Sequence, residues 1–425
     1  MQRVVVTGMG TCTSYGIGVS TLWENLLKNN DIIKAIPDKW KTNAKSYGFY
    51  APFPKLEYSK LGFSRSELLQ YEPVTLNALL SVEEALNQAN IDITRVEDKL
   101  NRFEIHDIDL TRVGVFGGTG IGGIETLSNA TSKLLEAKSG KYTRQDALSV
   151  AKTMPYNIAA AIGIKLGLHH AINSHTYACA TGTVIIGKAF KEIQNNQLDM
   201  AIISTSEYAD QNIGLLYNSF FHGNTLTKND DISLANIPFD KRRSGFLFSE
   251  GGAGALVLES LEHAQKRKAN ILAEVVGFSD SFDGYNMVSP DPSGEYIEAM
   301  LNKLLTDTNI NAKEIDYINA HGTGTVKNDQ IEAMVLEKIF NKNVAINSTK
   351  SLIGHTISAS GSIEAIVTIL SIQNSIVHAN NGLKEPISNL NFVKQSTPLN
   401  IEYAISQSFA FGGHNAALIF KNYKE

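Results

Sequence analysis

One cysteine of this 425-residue chain lies where a nucleophile is expected. Residues 177–183 read Tyr-Ala-Cys-Ala-Thr-Gly-Thr, and the helical pattern of residues 184–194 follows Cys179 closely. The start of a helix offers unpaired N–H groups and the positive end of the helix dipole, which favour a thiolate. We therefore expect a lowered pKa and a nucleophilic sulfur at Cys179. A buried, inert thiol is the alternative, and this motif alone fits it equally well.

Two histidines lie in glycine-containing loops of the second half. His321 follows the apolar run 317–319 and begins the stretch His-Gly-Thr-Gly-Thr, at the kind of strand end where α/β folds place their sites. His355 follows Lys-Ser-Leu-Ile-Gly and precedes a helical stretch. Each histidine alone fits a structural role, but one cysteine with two such histidines is far less ordinary. Two Nε2–H groups suit a reaction in which negative charge develops on the oxygen of a second carbonyl, because both can donate hydrogen bonds to it. Alternatively, one histidine can activate water while the other donates to that oxygen.

Further residues support this chemistry. Lys350 and Glu364 flank His355 in sequence. We expect them to set the local electrostatic field and to fix the orientation of the histidine. A plain structural ion pair is the alternative. Residues 407–415, Gln-Ser-Phe-Ala-Phe-Gly-Gly-His-Asn, form a small and aromatic loop. Its amides can complete an oxyanion hole with that of Cys179, and Phe411 can screen the thiolate from water. A hydrophobic turn before the last strand is the alternative there.

Bulk properties exclude several classes of protein. A chain of 425 residues, 43% hydrophobic and 19% charged, suggests two domains or one large double unit. The net charge of −5 and the absence of a basic stripe argue against nucleic acid as a partner. Only two cysteines, and no apolar run of about 18 residues, predict a cytoplasmic protein without disulfides or membrane spans.

Apolar β-branched runs alternate with helical patterns, which predicts an α/β fold with a sheet covered on both faces. The predicted strands are 3–7, 113–116, 200–204, 254–258, 317–319 and 417–420, and the predicted helices are 74–88, 182–194, 330–339 and 362–373. Two glycine-containing stretches, 8–10 and 117–123, lack the rest of a dinucleotide or phosphate fingerprint. We expect those glycines to serve tight turns and close backbone packing.

A faint internal repeat divides the chain. Residues 251–258 resemble residues 412–419, each a glycine pair that leads into an apolar strand. Residues 179–194 also echo residues 355–373, which would place a nucleophile and a histidine at matching helix starts. We assign residues 1–260 to an N-terminal half with the nucleophile and cap insertions, and residues 261–425 to a C-terminal half with both histidines. Chance similarity of glycine-rich strand entries is the alternative.

Together these motifs resemble the β-ketoacyl-acyl carrier protein synthases of the condensing-enzyme, or thiolase-like, superfamily, of the type that elongates chains in fatty acid and type II polyketide pathways. The resemblance covers nearly the whole chain, from residues 4–10 through 238–246 to 411–415, with the motifs in the family's order. It implies a thiolase-like five-layer αβαβα fold of two related halves. It also implies a dimer that catalyses a two-step decarboxylative Claisen condensation with malonyl-acyl carrier protein.

The resemblance also implies roles for single residues. Cys179 would accept the acyl chain from an acyl carrier protein, and His321 and His355 would stabilise the enolate or activate water. The amides of Cys179 and Phe411 would hold the oxyanion. The other implied site residues are the gating Phe411, the supporting pair Lys350 and Glu364, the pantetheine-binding Thr323 and Thr325, and the substrate-binding Ile121 and Phe409. No metal or redox cofactor is implied, because phosphopantetheine arrives on the carrier protein.

This chain departs from the family pattern at three places. Val326 and Lys327 follow Thr325 where the family has a proline, and residues 284–287 read Gly-Tyr-Asn-Met in place of Ala-Tyr-His-Met. Within residues 64–72, where housekeeping synthases carry several basic residues for the acidic carrier protein, only Arg65 is basic. We therefore expect a specialised partner, either a dedicated carrier protein or a chain-length-factor-like ketosynthase in a heterodimer.

Three other functions are alternatives to an elongating ketosynthase. The first is a specialised polyketide or polyene ketosynthase subunit that works beside a chain-length factor. The second is a thiolase, which uses a second cysteine as base; the intact histidine motifs and the position of Cys12 in the first strand's loop disfavour it. The third is a non-catalytic carrier-protein-binding subunit, which Cys179 makes improbable because such subunits lack the nucleophile.

Overall fold

Strands and helices alternate along most of the chain, as the apolar patterns predict. The computed structural model describes residues 1–30, 32–42, 48–96, 98–209 and 211–424. The strands are β1 (Val4–Thr13), β2 (Gly16–Ile17), β3 (Lys34–Ala35), β4 (Phe49–Ala51), β5 (Ile93–Arg95), β6 (Phe103–Ile105), β7 (Val113–Gly118), β8 (Ile172–His175), β9 (Met200–Tyr208), β10 (Phe248–Ser249), β11 (Gly251–Ser260), β12 (Ala273–Phe282), β13 (Tyr317–Asn319), β14 (Ala345–Asn347), β15 (Ile376–Val377), β16 (Thr397–Pro398), β17 (Tyr403–Phe409) and β18 (His414–Lys421). The α-helices are α1 (Val19–Leu27), α2 (Arg65–Gln70), α3 (Pro73–Gln88), α4 (Ile124–Lys138), α5 (Ser149–Thr153), α6 (Asn157–Lys165), α7 (Thr181–Gln194), α8 (Leu215–His222), α9 (Leu261–Lys266), α10 (Glu295–Thr308), α11 (Val326–Ile339), α12 (Lys350–Ile353) and α13 (Ser360–Asn374).

Both halves of the chain build five main strands in the same order. The first half has the order β8-β7-β9-β11-β1, and the second has the order β14-β13-β17-β18-β12. If the five main strands of each half are numbered in chain order, both sets have the same spatial order, 3-2-4-5-1. The first three strands listed are mutually parallel, while β11 and β18 are antiparallel to both of their neighbours. The ladder also breaks at matching places, between Val6 and Gly8 and between Val275 and Gly277. The prediction of two related halves is therefore confirmed.

Two buried helices lie between the two sets of strands. Helix α7 contacts β9 of the first half and β12 and β18 of the second, while α13 contacts β11 of the first half and β17 of the second. Both are buried along most of their length, as expected for helices that are covered on every side. Helices α3 and α6 cover the other face of the first set, and α10 covers that of the second. The layers therefore follow the predicted αβαβα order.

The glycines near the N-terminus serve close packing. Gly8 and Gly10 lie inside β1, against α3. A Cβ atom on Gly10 would fall 1.9 Å from the carbonyl oxygen of Ser81, and one on Gly8 would fall 2.0 Å from that of Ala85. Side chains at these positions would force the strand and helix apart. The packing interpretation of these glycines is therefore confirmed.

Each predicted strand and helix is present, with shifted ends. The largest shift at a helix start is in α11, which begins at Val326 and not at residue 330. Strand β11 ends at Ser260 and β12 begins at Ala273, so the division at residue 260, which stays a prediction, falls between main strands. In the described part of the chain, no helix is both long and apolar enough to cross a bilayer.

Candidate active site

A cavity of about 450 Å³ opens beside Cys179. Residues from both halves of the chain line it, and both halves pack against the same two helices, α7 and α13. Seven of the residues predicted from the sequence line it: Cys179, His321, Thr323, Thr325, His355, Phe409 and Phe411. Ile121 is not in this lining, since its loop turns toward Glu207, whose carboxylate accepts hydrogen bonds from the amides of Gly120 and Ile121. The expected substrate contact of Ile121 stays a prediction.

Cys179 occupies a tight turn directly before α7. The turn is a 3₁₀ helix, Ala178–Ala180, and Ala178 has a φ of 46°, in the left-handed region that L-residues adopt rarely. The hydroxyl of Thr181 closes the turn, because it accepts a hydrogen bond from the Tyr177 amide at 2.8 Å and donates to the Ala178 carbonyl at 2.7 Å. This turn presents the sulfur to the cavity while the side chain remains largely buried, at 6% exposure.

The expected lowering of the Cys179 pKa is wrong in sign. Burial raises the pKa of this thiol to about 12, although the Lys350 charge and a hydrogen bond from the Phe411 amide act in the opposite direction. The helix start favours the thiolate, but the loss of water around the buried sulfur disfavours the charged form and outweighs it. The resting group is therefore a thiol.

The second half carries a matching turn, and it corrects the register of the internal repeat. A 3₁₀ helix, Ile357–Ala359, precedes α13 as Ala178–Ala180 precedes α7, and Ile357 also has a positive φ, of 50°. The counterpart of Cys179 in this alignment is Ser358, and His355 lies three residues earlier. The predicted pairing of the nucleophile with the histidine at matching helix starts is thus wrong, because the repeated unit is the strained turn and not the reactive side chain.

His355 faces the sulfur with its Nε2 atom. The distance from Nε2 to the Cys179 Sγ is 3.1 Å. On the opposite side of the ring, the backbone amide of Ile357 donates to Nδ1 at 3.2 Å, and the Ser360 hydroxyl lies 3.0 Å from the same atom. An amide only donates, so Nδ1 is an acceptor and the proton of the neutral ring sits on Nε2. Burial and the Lys350 charge hold the pKa of His355 well below its usual value.

His321 is held in the same tautomer by Lys350. The Lys350 Nζ lies 3.3 Å from Nδ1 of His321 and 2.8 Å from its carbonyl oxygen. An ammonium group is a donor only, so Nε2 of His321 carries the ring proton. Burial, the Lys350 charge and His355 lower the pKa of His321 well below its usual value. The two imidazole rings lie 5.7 Å apart at 86°, so two neutral N–H donors share the cavity.

Lys350 and Glu364 form a buried ion pair behind the cavity. Burial raises the pKa of Glu364 to about 7 despite the adjacent ammonium. The Oε2 atom of this carboxylate has no hydrogen-bond partner within the described ranges. The pair was expected to orient His355, the nearer histidine in sequence, but the hydrogen bonds from Lys350 go to His321.

Glu332, which the sequence motifs did not single out, shapes the His321 loop. The Glu332 carboxylate accepts hydrogen bonds from the amides of His321 at 2.7 Å and Gly322 at 2.8 Å, and from the Gln407 side chain at 2.7 Å. Burial raises the pKa of Glu332 to about 7. Asp329, one helical turn earlier on α11, accepts from the Gly324 amide. The sequence feature that could have revealed them is the spacing of Asp329 and Glu332. Residues three apart lie on one face of a helix, and this helix begins at the end of the loop. The sequence also offered no signal for the Ser360 contact to His355.

The loop after β17 covers the other side of the sulfur. The Phe411 amide donates a hydrogen bond to Cys179. Its expected role in an oxyanion hole stays a prediction. Gly412 and Gly413 have φ values of 86° and 85°, which permit the sharp turn after Phe411. The Gly412 amide also donates to the carbonyl oxygen of Met287 at 2.8 Å, so the loop is tied to the segment that includes Asp283 and Ser289 at the cavity mouth.

Comparison with known proteins defines the class of the chain. Residues 1–264 match the family model described as beta-ketoacyl synthase, N-terminal domain, and residues 272–384 match that of the C-terminal domain. The chain therefore belongs to the β-ketoacyl synthase family, and it is an acyl-transferring condensing enzyme of the ketosynthase type.

Full-length relatives support the same class. The chain is 34% identical over 432 residues to 3-oxoacyl-acyl-carrier-protein synthase 2 of Staphylococcus aureus (strain N315), covering all of this chain and 99% of that protein. A beta-ketoacyl synthase from Burkholderia phymatum STM815 superposes over all of both chains with a TM-score of 0.87 and 28% identity. The ishigamide ketosynthase/chain length factor gives a TM-score of 0.86 and 25% identity, again over all of both chains. The predicted thiolase-like fold is confirmed.

Proposed function

We propose that this enzyme extends an acyl chain on Cys179 by two carbons, with malonyl-acyl carrier protein as the donor. The observation that supports this best is the 3.1 Å contact between the Cys179 Sγ and an Nε2–H of His355, in a cavity that a second neutral histidine, His321, also lines. A nucleophile with two neutral N–H donors suits a reaction in which charge develops twice, first on a thioester oxygen and then on an enolate oxygen.

In the first step the Cys179 sulfur attacks the thioester carbonyl of an acyl carrier protein. The bond from sulfur to carbonyl carbon forms, the bond to the pantetheine sulfur breaks, and that sulfur leaves with the proton of the Cys179 thiol. The amides of Cys179 and Phe411 donate to the oxyanion of the tetrahedral intermediate. The Nε2–H of His355 stabilises the sulfur as it becomes negative, which compensates for the raised pKa of the buried thiol.

In the second step malonyl carrier protein loses CO₂ in the same cavity. The electron pair of the broken carbon–carbon bond forms an enolate, whose oxygen accepts hydrogen bonds from Nε2–H of His321 and His355. The enolate carbon attacks the acyl thioester, the bond from its carbonyl carbon to the Cys179 sulfur breaks, and the departing thiolate takes a proton from solvent to restore the thiol. Both histidines act best as neutral donors here, and the lowered pKa of each ring keeps it neutral. The route requires no metal or redox cofactor.

Thr323 and Thr325 are proposed to bind the pantetheine arm. Both line the cavity, and their hydroxyl oxygens lie 2.9 Å apart, so one donates to the other and lone pairs remain for the amides of the arm. Phe409, whose ring lies 5.6 Å from that of His321, is proposed to contact the substrate beside the histidine. Phe411 is proposed to act as the gate.

The surface of α2 favours a specialised partner for this enzyme. Ser64 and Glu67 form a capping box at its start, and Glu67 is buried in an ion pair with Lys165. The exposed surface includes Arg65 and Leu69, the latter 59% exposed. An acidic carrier protein would find little positive charge there. We therefore propose a dedicated carrier protein, with a chain-length-factor heterodimer as the second candidate. Co-purification from the host tests this, and full-rate elongation of ordinary fatty acyl carrier protein by the homodimer alone contradicts it.

A dimer is proposed to form at the edge of the first sheet. Strand β8 is the terminal strand of that set, and its outer edge has no ladder partner in the described part of the chain. Helix α4, which contacts α5, exposes Leu127, Leu134 and Leu135. An unpaired edge strand and a helix with exposed leucines are both features that suit an interface with a two-fold axis. Light scattering of the Leu135→Glu variant is expected to show more monomer than the wild type, and an unchanged mass contradicts this interface.

The catalytic assignment is tested by trapping the acyl group. Incubation with acyl carrier protein followed by peptide mass spectrometry is expected to place the acyl group on Cys179 in the wild type and nowhere in Cys179→Ala. Cys12→Ala is the matched control, since the Cys12 thiol is also buried but lies in a different core cluster against α3. His321→Ala and His355→Ala are expected to lose condensation more than acylation. Acyl-enzyme formation by Cys179→Ala would refute the proposal.

A further inference from the structure

The ring of His355 is contacted by a hydroxyl group on the side that faces away from the nucleophile. The Ser360 Oγ lies 3.0 Å from Nδ1, whereas the Cys179 Sγ lies 3.1 Å from Nε2. A second hydroxyl, that of Thr356, lies 3.0 Å from the Ser360 Oγ. Ser360 and Thr356 are each 1% exposed, and neither belongs to the described lining of the cavity. An effect of these hydroxyls on the substrate therefore has to pass through the ring.

The direction of both hydrogen bonds follows from the backbone amide of Ile357. That amide donates to Nδ1 of His355 at 3.2 Å, so Nδ1 is an acceptor and carries no proton. Ser360 must then donate to Nδ1 as well, and it is the closer of the two donors. A hydroxyl has one proton to donate, so Ser360 accepts from Thr356. The order of donation is therefore Thr356 to Ser360 to His355.

An ordinary capping role does not explain these two hydroxyls. Thr356 precedes the 3₁₀ helix Ile357–Ala359, and Ser360 is the first residue of α13. Hydroxyls at the start of a helix commonly accept hydrogen bonds from its first free amides. Among the described residues, however, the Thr356 side chain accepts from no amide of the helix that it precedes. The Ser360 hydroxyl contacts a ring nitrogen and a second hydroxyl.

The matching turn of the first half uses its hydroxyl in another way. Thr181 is the first residue of α7, as Ser360 is of α13, and each follows a 3₁₀ helix whose first residue has a positive φ. The Thr181 hydroxyl bonds to the backbone of its own turn, at Tyr177 and Ala178. The Ser360 hydroxyl is directed to the imidazole of His355 instead. The equivalent position of the second half thus serves a side chain of the site.

A donor at Nδ1 of His355 affects what its Nε2 can do. A hydrogen bond accepted at Nδ1 withdraws electron density from the ring, so Nε2–H becomes a stronger donor. The bond also opposes a flip of the ring, which would direct Cε1 to the Cys179 sulfur in place of Nε2. The Phe246 ring packs against the imidazole at 5.1 Å and 76°, but an aromatic contact does not distinguish a nitrogen from a carbon. The groups at Nδ1 therefore decide which atom faces the sulfur.

We propose that Ser360, oriented by Thr356, is a positioning residue that fixes Nε2 of His355 toward the Cys179 sulfur and strengthens the hydrogen bond that Nε2–H donates. The inference rests on the proposed function, in which this N–H stabilises first the sulfur and then the enolate oxygen. Ser360 touches no reacting atom and does not line the cavity. Its contribution is therefore to the rate of both half-reactions and not to the binding of a carrier protein.

The test removes one hydroxyl at a time from the full-length enzyme. Ser360→Ala deletes only the oxygen that contacts the ring, and Thr356→Val keeps the side-chain shape but loses the second hydroxyl. In Ser360→Ala, kcat for acylation of Cys179 and kcat for CO₂ release from malonyl carrier protein are each expected to fall about tenfold, the order of one buried hydrogen bond, with KM unchanged. Thr356→Val is expected to lose less, because the Ser360 hydroxyl remains.

Nitrogen NMR of labelled histidine reports on the ring itself. The Nδ1 resonance of His355 is assigned by its absence from His355→Ala. In Ser360→Ala this resonance is expected to move downfield, because an unprotonated ring nitrogen that accepts fewer hydrogen bonds resonates further downfield. Thr356→Val is expected to move it in the same direction by a smaller amount. A merely structural role of Ser360 would leave the resonance where it is in the wild type.

Ser362→Ala is the matched control. Ser362 is a buried residue of the same helix, two positions after Ser360, and its hydroxyl accepts a hydrogen bond from that of Thr205 at 2.8 Å. Like Ser360→Ala, this change removes one buried hydroxyl and leaves a threonine hydroxyl without its partner. The control is expected to keep the His355 resonance and both rates, even where its unfolding free energy is lower.

The rates and the resonance together decide the role of Ser360. Rates that fall in Ser360→Ala while the His355 resonance stays in place would show that Ser360 acts through the fold, and would overturn the positioning role. Unchanged rates would overturn it too, with or without a moved resonance. If Ser360→Ala is insoluble, the same two readouts in Thr356→Val decide. In each case an active wild type leaves the proposed function intact, whereas a wild type that neither acylates Cys179 nor releases CO₂ would overturn both.

Discussion

Replacing Lys350 by methionine removes a buried ammonium and leaves the Glu364 carboxyl alone in the interior. The two side chains are only 2% and 1% exposed. Burial already raises the pKa of Glu364 to about 7 with the ammonium in place. An unpaired buried carboxylate is more costly still, so we expect Glu364 to fold in its neutral form in the Lys350→Met variant. Folding of this variant should then take up one proton.

The loss of stability expected in the Lys350→Met variant depends on the pH. An unfolded glutamate has a pKa near 4.5. Keeping it neutral in the folded protein costs about 1.4 kcal/mol for each pH unit above that value. The cost is about 1.4 kcal/mol at pH 5.5 and about 4 kcal/mol at pH 7.5. Because the folded state binds the additional proton, the free energy of unfolding of the variant should fall as the pH rises through this window.

Urea unfolding of two variants measures this cost. The double variant Lys350→Met/Glu364→Gln keeps nearly the same shape but has no ionisable group at the site. The difference in unfolding free energy between the double and the single variant is expected to grow by about 3 kcal/mol from pH 5.5 to pH 7.5, with the single variant the less stable. A difference that stays constant across this range would refute the proposed protonation of Glu364.

The same perturbation has a catalytic signature. In the wild type Lys350 donates to Nδ1 of His321 and so fixes the proton on Nε2. In Lys350→Met the ring can adopt either tautomer, and we expect condensation to decrease more than acylation of Cys179. Glu364→Gln keeps the ammonium at His321 and is expected to lose less condensation than Lys350→Met. Equal losses in both half-reactions would show that Lys350 acts through the fold and not through the ring.

Three further predictions concern protonation, packing and capping. At pH 6.5 nitrogen NMR of labelled histidine is expected to show His321 and His355 neutral with the proton on Nε2, because burial lowers the pKa of both; charged rings would contradict the tautomer assignment. Gly10→Ala is expected to lower the free energy of unfolding by about 3 kcal/mol in urea, since its Cβ would fall 1.9 Å from the Ser81 carbonyl oxygen; an unchanged midpoint would mean that α3 can move away. Ser64→Ala is expected to cost about 1 kcal/mol of stability through loss of the α2 capping box, and no loss would show that the cap is dispensable.

Much of the architecture is local in origin, and for that reason it was predictable. Apolar runs of strand length and helical periodicity place β9 and α7 correctly to within a few residues, because the face that a residue buries depends on its near neighbours. The repeat was visible for the same cause, since two glycine pairs lead into two equivalent strands, β11 and β18. Its register was not visible, because the strained turns at Ala178 and Ile357 depend on the packing around them.

By itself the sequence indicated the side chains that we propose to carry the chemistry: Cys179, His321 and His355, with the Lys350 and Glu364 pair behind them. Only the tertiary structure decided how they meet. The cysteine and its histidine are 176 positions apart in the chain. Their contact depends on two helices packed between the two sets of strands, which β1 and β12 join into one sheet. Lys350 lies nearer to His355 in sequence, but its Nζ forms its histidine contacts with His321. The pKa of Cys179 reversed its expected direction because burial, which sums contributions from the whole fold, outweighs the helix start that the local sequence revealed.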